Sequence, residues 1–158
     1  MPHVKASILC IGDDDSRLEA RRVLLENHGY QVLAAADARK GLDLFARHAI
    51  DLVLLDYEMA AMNGDLVAAR VKAVKPQIPV LMLSAHRSLP QDKLAFVDAF
   101  LFKGEPWTSV LARMDELLAA DLSFFAHWLG DWKRRRATVT ENEPAEEAPT
   151  GKMDKRSA

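Results

Sequence analysis

From residue 7 to residue 103 the chain alternates short apolar runs with stretches of helical periodicity, and each run is closed by a turn-former or a polar residue. The apolar runs at 7–11, 31–35, 52–55, 80–83 and 99–102 have the length of strands, too short for helices. Leu-Val-Leu-Leu at 52–55 and Val-Leu-Met-Leu at 80–83 show no polar alternation. They are expected to be buried on both faces, as in a parallel sheet covered by helices. Between the runs, Leu18, Val23, Leu24 and Leu25 mark a helix that stops at Gly29, and Asp37 is placed to cap a helix carrying Leu42, Leu44 and Phe45 as far as about His48. A third helix over 66–75 ends at Lys75-Pro76, because the residue before proline is driven out of the helical region. A short, weak helix is expected over 91–97. Pro106 suits the first turn of a fifth, from Trp107 to about Ala120 through Val110, Leu111, Met114, Leu117 and Leu118. Strands alternating with helices require crossovers of one hand and hence a parallel sheet. The fold class is α/β, a doubly wound five-stranded parallel sheet with five helices.

A sixth helical stretch follows. Over 121–136, at ~100° per residue, Leu122, Phe124, Phe125, Trp128, Leu129 and Trp132 fall on one side, and Ser123, His127, Asp131, Lys133 and Arg134 on the other. Four large aromatic side chains on one face need cover, from the chain's own domain, a second copy or a partner. From Thr138 the composition turns to Glu, Pro, Ala, Thr and Lys, with too little apolar surface to offset the entropy of ordering. The expected organisation is a domain over 1–120, an amphipathic aromatic helix over 121–136 and a disordered tail over 137–158.

Composition narrows the function more by exclusion than by assignment. A formal charge of −2 over 158 residues and a pI near 6.2 offer no overall attraction for nucleic acid or anionic membrane, so neither is an expected partner. One helix and an acidic tail also leave nothing to orient a DNA-recognition element. The lone Cys10 lies inside an apolar run and reads as a small buried hydrophobe in a reducing compartment. With no signal-peptide layout and no apolar run long enough to span a bilayer, the expected location is cytoplasmic.

The candidate chemistry lies at the strand ends. Asp13 follows the first strand, Asp56 the third, Ser84 the fourth and Lys103 the fifth. In a parallel sheet all four occupy one edge, and in the order 2-1-3-4-5 the first and third strands are neighbours at the switch point where ligands of such sheets bind. Asp13 beside Asp56 would make a hard-oxygen site for Mg²⁺, with a lysine and a hydroxyl opposite to hold a phosphoryl group. Taken singly, each residue is as well explained as a cap, a turn residue or a solvated side chain. Their order and spacing carry the argument.

At this point the chain resembles the receiver domain of two-component response regulators, over roughly residues 7–120. Leu-Leu-Asp56-Tyr-Glu-Met-Ala-Ala-Met-Asn-Gly64 is similar to the family's phosphoacceptor strand and loop, with Ala60 where proline is common. Leu83-Ser84-Ala85 and Phe100-Leu-Phe-Lys103 match the motifs of the fourth and fifth strands, with Gly104 in place of the usual proline. The resemblance implies the flavodoxin-like order 2-1-3-4-5 and a phosphoryl group accepted on Asp56 from a sensor histidine kinase, a phosphotransfer protein or a small phosphodonor. It also implies stabilisation of that group by Lys103 and Ser84, a switch through Ser84 and Phe100, and rate tuning by Glu58 and His86. Mg²⁺ would be held by Asp13, Asp56 and the main-chain carbonyl of Glu58. The implied output is a protein partner or a second copy, met through the fourth helix, fifth strand and fifth helix together with the 121–136 helix. No enzymatic activity is implied beyond autocatalytic phosphoryl transfer and self-dephosphorylation.

The family usually has two adjacent acids after the first strand. Here Gly12 aligns with the first and Asp13 with the second, so weak Mg²⁺ binding is expected. In a register slipped by one residue, Asp14 would supply the missing acid, at the expense of the first helix's spacing. The departures Gly12, Ala60 and Gly104 keep open an alternative function, a phosphorylation-independent adaptor that uses the same fold for constitutive protein binding.

Overall fold

The structure is a computed structural model and describes residues 3–139. Five strands, β1 (Ser7–Ile11), β2 (Gln31–Ala35), β3 (Leu52–Asp56), β4 (Val80–Ser84) and β5 (Ala99–Phe102), alternate with α1 (Asp15–Asn27), α2 (Ala38–Arg47), α3 (Gly64–Val74), a 3-10 turn (Gln91–Leu94) and α4 (Trp107–Val139). The strands form one sheet in the order β2-β1-β3-β4-β5, and every pairing is parallel. This is the expected doubly wound fold. The register aligns Ile11 with Leu55, Asp56 with Leu83 and Ser84 with Phe102. The residues that close β1, β3, β4 and β5 therefore share one edge.

Strand side chains alternate between faces, and this decides which helix each can meet. Leu9, Ile11, Val53, Leu55, Val80 and Met82 pack with Ala38 and Phe45 of α2 and with Val67, Ala68 and Val71 of α3. Ile8, Cys10, Leu52, Leu54, Leu81 and Leu83 pack on the opposite face with Leu18 and Leu25 of α1 and with Val110 and Met114 of α4. Cys10 is fully buried there, and burial pushes its thiol up to about 12 despite the nearby Arg21 charge. It is inert packing, as the apolar run implied.

Three boundaries differ from the sequence reading. The inward stripe of α1 is Leu18, Arg21 and Leu25, spaced three and four residues apart, whereas Val23 is 47% exposed. The weak helix expected over 91–97 is a single 3-10 turn, Gln91–Leu94, with Leu94 and Val97 partly buried against the core. The fifth helix and the aromatic stretch are both part of α4, so no helix end marks residue 120. By contacts the chain divides into two compact units, 1–123 and 124–158. The aromatic face of residues 122–132 lies largely among side chains outside the described ones, and the expected disordered tail lies outside the described residues from 140 onward. Among the described residues no helix is long and apolar enough to cross a membrane.

Candidate functional site

Asp56 ends β3 in the same alternation as Leu52 and Leu54, so its carboxylate leans toward the face covered by α1. On that face it meets Arg21. The guanidinium Nη1 lies 2.8 Å from Asp56 Oδ1, with side chains only 6% and 3% exposed. Neither atom has a hydrogen-bond partner that meets angular criteria, so the contact is a close ionic one without an aligned N–H. Lys103, following β5, approaches the same oxygen at 3.7 Å. The second carboxylate oxygen faces Gly12, where a Cβ would come within 2.5 Å of Asp56 Oδ2. Glycine at 12 is what gives the Asp56 carboxylate its place.

The expected metal set is disposed differently from what the resemblance implied. Asp13 is exposed and its Oδ2 accepts the Ala60 N–H at 3.1 Å, which ties the end of β1 to the loop after β3. Asp14 caps α1 by accepting the Arg17 N–H at 2.9 Å, with an exposed Arg17 ion pair at 3.7 Å. Receiver domains generally bind Mg²⁺. The donors here do not fit that ion: one oxygen of Asp56 is faced by two cations, the other abuts Gly12, and Asp14 is engaged in a helix cap. Among the described residues no group of three or more His, Cys, Asp or Glu side chains could hold a metal ion.

On the β4–β5 side the site is organised by Glu58. Ser84 is fully buried at the end of β4, and its hydroxyl donates to Glu58 Oε1 while accepting the His86 N–H at 3.0 Å. The Ala85 N–H is 3.2 Å from both oxygens of Glu58, Lys103 is 3.6 Å from Oε2, and His86 Nε2 is 3.8 Å from Oε1. Partial burial alone would raise the Glu58 carboxyl. The Ser84 hydroxyl, the Ala85 N–H and the Lys103 charge outweigh it, so the carboxyl is held below its usual value. Glu58 thus already engages the hydroxyl and lysine expected to hold a phosphoryl group. Glu58 and His86, expected to tune rates, lie at this edge with these bonds in place.

Phe100 is half-buried and packs against the α2–α3 side of the core, one strand over from Met82. Phe102, in register with Ser84, carries Arg87 over its ring at 4.5 Å. The Phe102 ring also explains Gly104: a Cβ there would lie 2.2 Å from it, so the proline common at this position has no room. Beside Arg21 opens a cavity of about 430 Å³ lined by Arg17, Arg21, Phe102, Lys103 and Trp107.

Sequence reasoning brought Asp56, Ser84, Lys103 and Glu58 together correctly and missed Arg21. The available signal was an arginine between Leu18 and Leu25 at positions i, i+3 and i+7 of an inward stripe. The apolar residues that marked this helix, Leu18, Val23, Leu24 and Leu25, passed over it.

The family model described as the response regulator receiver domain matches residues 8–103. The transcriptional regulatory protein GlrR of Escherichia coli K12 is 36% identical over 57% of this chain and 20% of its own length. The response regulator MprA of Mycolicibacterium vanbaalenii is 35% identical over 70% of this chain and 49% of its own. The chain thus spans between one fifth and one half of the length of these relatives. Among solved structures, a receiver domain protein of Methanospirillum hungatei is similar with a TM-score of 0.69 and 25% identity, over 75% of this chain and 97% of that one. With the parallel order β2-β1-β3-β4-β5 and a family model that matches residues 8–103, the chain belongs to the response regulator receiver domain family.

Proposed function

We propose that the chain acts in a two-component phosphorelay by accepting a phosphoryl group on Asp56. The observation that carries this reading is the convergence of Asp56 with Lys103, 3.7 Å away, and with the Ser84–Glu58 pair at one sheet edge. Receiver domains interact with histidine kinases or phosphotransfer proteins and are generally not enzymes beyond their own phosphorylation. In the transfer, an Asp56 oxygen bonds to phosphorus as the bond to the donor's histidine nitrogen, or to acetate in acetyl phosphate, breaks. The protein's part is positioning and charge neutralisation, here by Arg21 and Lys103.

Glu58 then becomes the switch partner. Its carboxylate and a phosphoryl group are both anions that compete for the Ser84 hydroxyl, the Ala85 N–H and Lys103. Phosphorylation would displace Glu58 toward solvent and His86, draw Ser84 to the phosphoryl oxygen and let Phe100 turn, altering the surface of the 3-10 turn, β5 and α4. That surface and the 121–136 segment would meet a protein partner or a second copy. The test is intact-mass measurement after incubation with acetyl phosphate: one phosphoryl adduct that disappears in Asp56→Asn is expected, and an adduct surviving that change refutes the assignment.

A second reading, a phosphorylation-independent adaptor, is favoured by the buried Arg21–Asp56 pair, which gives the acceptor a partner in the resting state. No adduct on the folded parent, from acetyl phosphate or from a kinase, would select it.

A further inference from the structure

We infer that Arg21 is the built-in cation of this site: its guanidinium takes the place of a divalent metal ion against Asp56, and the chain excludes Mg²⁺ there. The inference concerns the same acceptor site as the phosphorelay reading and rests on that site being the receiver's acidic edge, but not on phosphorylation taking place.

Three observations lead to it independently. The first is the position of the charge. Arg21 belongs to the inward stripe of α1 between Leu18 and Leu25, where an apolar side chain would be the ordinary occupant, and it is only 5% exposed. A cation buried without a partner is costly, and this one is aimed at Asp56 Oδ1, 2.8 Å away. The second is the missing acid. The pair of adjacent acids usual after the first strand is here reduced to Asp13, because residue 12 has no side chain and any Cβ there would meet Asp56 Oδ2 at 2.5 Å. The Asp56 carboxylate occupies the volume that a side chain at residue 12 would need. The third is the engagement of the remaining acids, Asp13 with the Ala60 N–H and Asp14 with the α1 cap.

The electrostatics agree with the geometry. A divalent ion entering beside Asp56 would stand near two positive side chains, Arg21 and Lys103, inside a largely buried pocket where like charges are poorly screened. An ion at Oδ1 would have to share that oxygen with the guanidinium 2.8 Å away. Arginine suits the substitution, being always charged, weakly hydrated and planar, so it tolerates burial better than lysine would. With Gly12 carrying no acid, the single positive charge of Arg21 is matched by the single carboxylate of Asp56 that it faces.

The experiment measures metal binding alone. The full chain, Arg21→Met and Asp56→Asn are titrated with Mn²⁺ by electron paramagnetic resonance of the free ion and with Mg²⁺ by calorimetry. Methionine is chosen because it fills the apolar stripe without charge, and circular dichroism confirms folding. The parent is expected to show no site dependent on Asp56, and Arg21→Met to bind Mn²⁺ at least about tenfold more tightly than the parent. Tight binding by the parent that is lost in Asp56→Asn overturns the inference, as does an Arg21→Met protein that binds no better than the parent. If Arg21→Met fails to fold, amide chemical shifts of Gly12, Asp13 and Asp56 in the parent serve instead: saturable shifts with millimolar Mg²⁺ overturn it, and their absence supports it. Failure of acetyl phosphate to label Asp56 would bear on the phosphorelay reading and leave this result untouched.

Discussion

On its α1 side the site is made of Gly12, Arg21 and Asp56, all buried, with the ion pair's side chains 6% and 3% exposed. On its β4–β5 side, Glu58, Lys103 and His86 surround the same edge with side chains 34%, 20% and 67% exposed. Both halves are held by opposite charges, at 2.8 Å in the first and at 3.6 and 3.8 Å in the second, and they differ in what those charges do. A buried pair is costly to assemble and far more costly to break on one side only, because the survivor stays out of water. An exposed pair is screened and exchanges partners at little cost. The α1 half therefore holds a geometry, and the β4–β5 half is free to change one. The proposed phosphorylation switch would use both, carried by different residues.

The largest expected effect comes from breaking the closed half. Asp56→Asn strands the Arg21 charge and should cost ~3 kcal/mol in urea denaturation. Arg21→Met should cost less, since Asp56 keeps Lys103. The double variant should recover part of the loss, giving a coupling of at least ~1 kcal/mol. Strictly additive losses would show that the two side chains do not act as a pair.

A smaller loss is expected at Gly12. Either Gly12→Ala or Gly12→Asp drives a Cβ toward Asp56 Oδ2 and should destabilise by ~1–3 kcal/mol through forced displacement of the carboxylate. Gly12→Asp, which restores the acid common in the family, is thus not expected to restore a metal site while Arg21 remains. Thermal melts matching the parent would mean that the carboxylate has room to move.

The open half should respond the other way round. Glu58→Gln and His86→Ala should each change stability by less than ~1 kcal/mol. In phosphorylated protein they should alter the rate at which Asp56 loses its phosphoryl group, followed by intact mass against time. Unchanged lifetimes in both variants would remove Glu58 and His86 from rate tuning.

The smallest effect is a pH dependence. The Glu58 carboxyl titrates below its usual 4.5 in the folded chain, so its contribution to stability is complete above that value and fades as pH falls through the lower folded value. Parent and Glu58→Gln stability curves should converge in acid and separate above about pH 4.5. A gap that widens with acidification would reverse the sign of the shift.

The comparison also explains what was legible beforehand. Asp56, Ser84 and Lys103 could be placed together beforehand because each ends or directly follows a strand, and strand ends in a parallel sheet lie together by topology alone. Arg21 was missed because its role depends on the direction of one helix face. The apolar residues Leu18, Val23, Leu24 and Leu25 leave two adjacent choices of stripe, and only packing on β1 and β3 selects the one containing arginine. Gly104 looked like a loss of the family's proline, but it makes room for the Phe102 ring. The weak pattern over 91–97 marked a segment that makes only one 3-10 turn.

By itself, then, the sequence determined the five strands, their parallel pairing and the residues at their carboxyl ends, because these follow from short-range periodicity and the hand of the crossovers. Only the tertiary structure decided which charges face one another there. That Arg21 lies against Asp56, that Gly12 admits the carboxylate and that Glu58 occupies Ser84 and the Ala85 N–H depend on distances between segments far apart in the chain. A distance of that kind is set by the packing of helix on sheet, and the local pattern of apolar and polar residues does not contain it.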